Sequence, residues 1–165
     1  MAQEATVLSD ASPLIGLAAA GAFDVLPRLF KTIPVTESVR REVTARKTLP
    51  GSVELLQGIA DGWIERIADP RAPMVFPTLG AGETATLNAA VRIGPGCLVL
   101  MDDAAARAEA QALGLNVTGT AGVLLIARRR KLIPKIRPLL ERLVAAGFRM
   151  SPGVIDAVLD AARES

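Results

Sequence analysis

Four acidic residues of this 165-residue chain stand at junctions that open a helix, where a carboxylate is well placed to do chemistry. Asp10 closes the run Thr6-Val7-Leu8-Ser9 and precedes Ala11-Ser12-Pro13-Leu14. Asp102 and Asp103 close Cys97-Leu98-Val99-Leu100-Met101 in the same way, ahead of an alanine-rich stretch. Glu83 stands at the loop-to-helix junction Gly80-Ala81-Gly82-Glu83. Carboxylates delivered to the carboxyl ends of parallel strands converge in one crevice, the place where open α/β sheets bind ligands. Hard oxygen donors of this kind suit Mg²⁺ or Mn²⁺.

Each acid also has a plainer reading. Asp10 can simply cap the turn, although Ser12 already offers itself as the cap. Of the pair 102–103, one faces the crevice and the other caps the helix at Ala104; the sequence does not say which. Glu83 falls in a first helical turn, where an acid is favoured electrostatically without further purpose. Glu42, in the charged run Arg40-Arg41-Glu42, is a weaker fifth candidate that could equally belong to a solvated face.

Composition narrows the chemistry. The chain has no histidine, which excludes histidine bases, Ser-His-Asp and Cys-His systems, and imidazole metal ligands. Its single cysteine, Cys97, lies in an apolar run and reads as a buried structural thiol; no internal disulfide or cysteine zinc cluster can form. Any catalysis therefore falls to carboxylates. With 19 basic and 17 acidic residues, net charge alone makes no case for nucleic-acid binding, and 3% aromatic residues make no stacking platform. No signal peptide is expected. Leu14 to Val25, broken by Gly16, Gly21 and Asp24, is too short to span a membrane, so a cytoplasmic protein is expected.

The elements that position these acids follow from the pattern. Strands are expected at Thr6 to Ser9, Thr32 to Val35, Trp63 to Ile67 (as an edge), Cys97 to Met101 and Asn116 to Thr118. Helices are expected near Leu14 to Ala20, opened by Ser12 and Pro13, and near Ala22 to Phe30. Further helices follow from Thr36 through Arg46, from Thr48 to Gly62, Glu83 to Ile93, Ala104 to Leu113, Gly122 through Arg130, Pro138 to Ala146 and Pro152 to Ala162. The stretch Asp69 to Gly82, with three prolines and two glycines, is loop. Strands alternating with helices predict a single α/β/α domain over 1–165, with a mainly parallel sheet of four to five strands.

The cluster Arg128-Arg129-Arg130-Lys131, with Lys135 and Arg137 beyond, is the one concentrated basic patch. It reads either as cations at a helix C-terminus or as contacts to a phosphate backbone. Arg107, one turn beyond the acid pair, could pair with an acid or hold a phosphate. Gly80-Ala81-Gly82-Glu83-Thr84-Ala85 also matches the dinucleotide fingerprint, with Asp102 about 20 residues on. Pro73 and Pro77 make its approach a poor strand, and Glu83 would aim negative charge at a pyrophosphate. A receiver-type phosphoacceptor fits less well still, because a lone Asp10 stands where an acid pair would be needed.

Val7-Leu8-Ser9-Asp10-Ala11-Ser12-Pro13-Leu14, Gly80-Ala81-Gly82-Glu83-Thr84-Ala85, Leu100-Met101-Asp102-Asp103-Ala104-Ala105-Ala106-Arg107 and Gly119-Thr120-Ala121-Gly122-Val123-Leu124 together resemble the PIN-domain-like bacterial proteins related to VapC toxins. The likeness extends to Gly147-Phe148-Arg149-Met150-Ser151. It implies a three-layer α/β/α fold and a Mg²⁺- or Mn²⁺-dependent ribonuclease with Asp10, Glu83 and Asp102 or Asp103 at the metal, and Glu42 as a further ligand. It also implies an RNA substrate, a small antitoxin partner and a homodimer. Where many PIN nucleases carry a fourth-strand acid, this chain has Thr118-Gly119-Thr120-Ala121, hydroxyls only. Ser12, Arg107, Thr118, Thr120, Arg128, Arg130 and Lys131 are the expected substrate contacts. The alternatives are a catalytically weak PIN-like binding protein and, behind it, a dinucleotide-binding protein.

Overall fold

The computed structural model describes residues 4–71 and 73–164; Ala72, inside the expected loop, and both chain ends of the expected domain lie outside the described residues. Five strands alternate with helices: β1 (Val7–Ser9), α1 (Ala11–Ala19), α2 (Val25–Leu29), β2 (Ile33–Thr36), α3 (Glu37–Thr44), α4 (Ser52–Asp61), β3 (Ile64–Ile67), α5 (Ala81–Ile93), β4 (Leu98–Leu100), α6 (Ala104–Ala112), β5 (Asn116–Thr118), α7 (Thr120–Arg129), α8 (Arg137–Ala145) and α9 (Pro152–Ala161). All strand pairings are parallel, which is what helical crossovers between successive strands enforce. β4 lies between β1 and β5, pairing Leu8 with Val99 and Val99 with Val117. β2 and β3 form a second pair, Ile33 against Ile64, and β2 runs alongside β1. The expected layer of four to five strands is thus five parallel strands in two hydrogen-bonded groups. Pro34 in β2 has no N–H to give a ladder.

Side-chain alternation builds the three layers. Val7 and Leu100 point into one core, with Leu14, Leu17, Leu26, Val123, Leu124 and Leu140 from the helices on that face. Leu8, Val99 and Met101 point into the other, with Leu87, Ala106 and Ala110. Strands buried on both faces explain why these runs are continuously apolar rather than alternating.

Several boundaries differ from expectation: α5 starts at Ala81 rather than Glu83, which ends the loop at Gly80, and α7 starts at Thr120 rather than Gly122; three others have a local reason. α1 begins at Ala11 rather than Leu14, with Asp10 as its N-cap at φ −74°, ψ 172°, so Ser12 does not cap. α2 covers Val25–Leu29 instead of Ala22 to Phe30, because Ala22 closes α1: its N–H bonds Leu17 O while Gly21, at φ +72°, bonds Ala18 O. α4 waits until Ser52, after Pro50 and a left-handed Gly51.

Thr36 caps α3 as expected, its Oγ1 accepting from Val39 N at 3.4 Å, and thereby orients the helix that carries Glu42. Replacing a capping hydroxyl costs about 1 kcal/mol. Thr36→Ala should lower the urea midpoint by a matching amount with an unchanged m-value; an unchanged midpoint would show that the cap contributes nothing.

Candidate active site

The strand ladders do not stop where the strands do. Asp10 N donates to Leu100 O at 2.9 Å and Met101 N to Thr118 O at 2.8 Å, so Asp10, Asp102 and Thr118 leave the carboxyl edge side by side. Helices α1, α5, α6 and α7 start at this edge or against it. The acids therefore stand where unpaired helix N–H groups gather.

Asp10 is the centre of the group. Its side chain is 3% exposed, and Oδ1 has no hydrogen-bond partner among the described residues. Burial pushes its carboxyl up to about 7; the Ala11 amide opposes this, while the charges of Glu83, Glu42 and Asp102 push the same way. Glu83 is likewise raised, first by burial and then by Asp103 and Glu42, against the Gly80 amide that it accepts from. Asp10, Glu42, Glu83, Asp102 and Asp103 thus share one electrostatic field.

The two members of the acid pair take different duties. Asp103 caps α6, accepting from Ala106 N at 2.9 Å. Asp102 reaches across to α7, where it accepts from Thr120 N and Thr120 Oγ1, both at 2.7 Å. Glu83 Oε2 accepts from Gly80 N at 3.1 Å, closing a box at the start of α5. Every acid of the trio 83, 102 and 103 has a backbone donor of its own. Asp10 Oδ1 has none.

Two glycines make the approach possible: Gly82, read from sequence only as part of a dinucleotide fingerprint, and Gly119, given no role of its own. A Cβ at Gly82 would stand 2.7 Å from Glu42 Oε2 and 3.4 Å from Asp10 Oδ1. A Cβ at Gly119 would stand 2.6 Å from Asp102 Oδ1 and 2.9 Å from Arg107 Nη1. Each glycine lies within a residue or two of a helix start beside a candidate acid. That juxtaposition was the available signal. Arg107, half-buried, thus lies against Gly119 beside Asp102.

Of the other expected contacts, Thr118 and Thr120 stand at the same edge, whereas the 128–131 cluster does not. Ser12 sits in the first turn of α1 without capping it, because Asp10 occupies the cap. Thr120 is buried, and its hydroxyl is donated to Asp102 instead of being free for a substrate. Thr118 lies over the first turn of α7 towards Gly122. Arg128, Arg129, Arg130 and Lys131 stand at the opposite end of α7 from Thr120, roughly 15 Å away at 1.5 Å per residue. Arg130 lines a cleft with Thr6, Val7 and Leu98, at the amino edge of the strands, and Arg128 pairs with Glu164 at 3.3 Å. Helix direction alone separates this cluster from the acids. The dinucleotide reading gains no support: β3 ends at Ile67 and no strand leads directly into Gly80-Ala81-Gly82 among the described residues, and Glu83 already occupies the Gly80 amide. Cys97 is buried, with its thiol pushed up by desolvation, as a structural cysteine should be.

The donor set suits a hard divalent cation. It is all oxygen, its charges repel one another, and one buried carboxylate oxygen is left unpartnered. Among the described residues, however, no three or more Asp, Glu or Cys side chains are arranged to hold a metal ion as they stand, so the acids form no ready-made cation site. The raised Asp10 carboxyl has a consequence for stability. Below its unfolded value of 3.8 the acid is protonated in both states; between there and about 7 only the folded state holds the proton. Stability from this group is therefore full at acid pH and is lost as pH rises towards 7. Without divalent ions, wild type should lose melting temperature relative to Asp10→Asn between pH 4 and 8; parallel curves would show that Asp10 is not shifted.

A solved structure of a PilT N-terminus domain protein from the hyperthermophilic archaeon Sulfolobus solfataricus P2 is similar to this chain at 14% identity, covering 72% of this chain and 90% of that one, with a TM-score of 0.49. No curated protein matches the chain. A family described as DUF3368: PIN domain matches residues 6–164. PIN domains are in general nucleases that use divalent metals. With that match spanning nearly its whole length, the chain belongs to the DUF3368 PIN-domain family.

Proposed function

We propose that this protein is a divalent-metal-dependent endoribonuclease that hydrolyses RNA phosphodiester bonds in the cytoplasm, acting as the toxin of a toxin–antitoxin pair and working as a homodimer. The observation that carries the catalytic reading is Asp10: a buried carboxylate with an orphaned oxygen, faced by Glu42, Glu83 and Asp102. Asp10, Glu83 and Asp102 would hold Mg²⁺ or Mn²⁺, with Glu42 and Asp103 completing the negative field. When bound, such an ion supplies Lewis acidity at a scissile phosphodiester and lowers the pKa of water.

The chain's own residues do the rest. Asp10 must give up its proton before its oxygens can serve as ligands, so cation affinity rises with pH. Thr120 fixes the direction of Asp102 through two donated hydrogen bonds. Arg107, beside Asp102, is placed to take a phosphate of the RNA backbone as a fork donor. The toxin role and its small antitoxin rest on the motif resemblance.

A second reading has its own observation. No three or more acids among the described residues are arranged to hold a metal ion as they stand, and the fourth-strand stretch carries Thr118 and Thr120 instead of a carboxylate. A catalytically weak PIN protein that acts by binding a partner would have this arrangement.

Calorimetric titration with Mn²⁺ separates the two. The nuclease reading expects binding that tightens from pH 6 to 8, is abolished in Asp10→Asn, and accompanies RNA cleavage that falls by roughly 100-fold or more in that variant. Absence of Mn²⁺ binding in wild type supports the binding protein. Arg107→Ala should raise KM for single-stranded RNA, whereas Arg130→Ala should leave it unchanged; the reverse result would move the RNA path to the far end of α7.

A further inference from the structure

The turn that ends α8 reaches the back of the acid site. Phe148 N bonds Leu143 O and Gly147 N bonds Val144 O, both at 3.0 Å, with Gly147 at φ +93°. This is a left-handed helix stop, and it fixes the direction in which the following residue leaves. That residue is Phe148, which packs at the edge of the larger core.

Its ring meets α1 at Gly16. A Cβ at Gly16 would stand 3.2 Å from Phe148 Cε1 and 3.2 Å from Thr120 Oγ1, the hydroxyl that holds Asp102. Glycine is a poor residue for the middle of a helix, and α1 is the helix that Asp10 opens. The notch it leaves is filled from two sides, by the ring of Phe148 and by the side chain of Thr120. Any side chain there would drive both outward.

We propose that Gly16 and Phe148 are positioning residues for the acid site: the ring, seated in the Gly16 notch, sets the place of Thr120 and through it the direction of Asp102 relative to Asp10. Neither residue touches substrate. The contact chain runs from Phe148 to Gly16 to Thr120 to Asp102, and it joins the element behind the site to the helix starting at Asp10. This rests on the nuclease reading only for its effect on rate; the geometric claim stands apart from it.

Gly16→Ala and the milder Phe148→Leu test the claim, with Phe76→Leu in the other core as a control for lost packing. The Thr120 amide, donated to a carboxylate, is followed in ¹H–¹⁵N spectra, and cleavage of a mixed-sequence single-stranded RNA oligonucleotide is followed with Mn²⁺. Both variants should move the Thr120 amide proton upfield and lower kcat by roughly tenfold, with KM held within about twofold. The control should do neither. A Thr120 amide left in place in the folded Phe148→Leu protein would overturn the proposal, as would a kcat loss matched by the control. If wild type cleaves no RNA, the nuclease reading falls, and the Thr120 resonance alone decides the positioning.

Discussion

Burying the Asp10 carboxylate without a hydrogen bond to Oδ1 works against the fold, at a cost of roughly 1–3 kcal/mol for a polar group left unsatisfied. The surrounding elements hold it there. Asp10 N extends the β1–β4 ladder to Leu100 O, so the backbone cannot swing the acid into solvent. Leu8 and Leu14 on either side are fully buried in opposite cores, so the strand and the helix around Asp10 are both pinned. The strain of the site is stored electrostatically in one side chain.

The neighbouring acids make the position more negative without sharing its burden. Glu83, Asp102 and Asp103 each spend oxygens on a helix start, through Gly80, Thr120 and Ala106 respectively. Those bonds keep them oriented. Glu42, exposed on α3, approaches only because Gly82 has no side chain. Burial first, and then the charges of Glu83, Glu42 and Asp102, push the Asp10 carboxyl up to about 7, a position a divalent cation would relieve.

Much of this was legible in the sequence, because strands buried on both faces and acids at strand ends leave strong local marks. The runs ending at Asp10 and Asp102, the cap at Thr36 and the loop before Gly80 are where pattern places them. Local pattern failed where the outcome depended on contacts between distant segments. Ser12-Pro13 reads as a better helix opening than Asp10, but the ladder bond to Leu100 fixes Asp10, two residues earlier, at the cap. The split of duties between Asp102 and Asp103 is set by Thr120, 18 residues away. The basic cluster at Arg128–Lys131 looked available for RNA until the direction of α7 placed it at the other edge of the sheet. Gly82 and Gly119 gain meaning only once α3 and α6 come to lie against them.

The central claim is that the unpartnered oxygen of Asp10 marks the place of a divalent cation. Diffraction from crystals grown with Mn²⁺, recorded for anomalous scattering, tests it most directly. The account predicts an anomalous peak in direct contact with Asp10 Oδ1, with Glu83 and Asp102 turned towards it. Mn²⁺ bound elsewhere, with Asp10 still unligated, would contradict it.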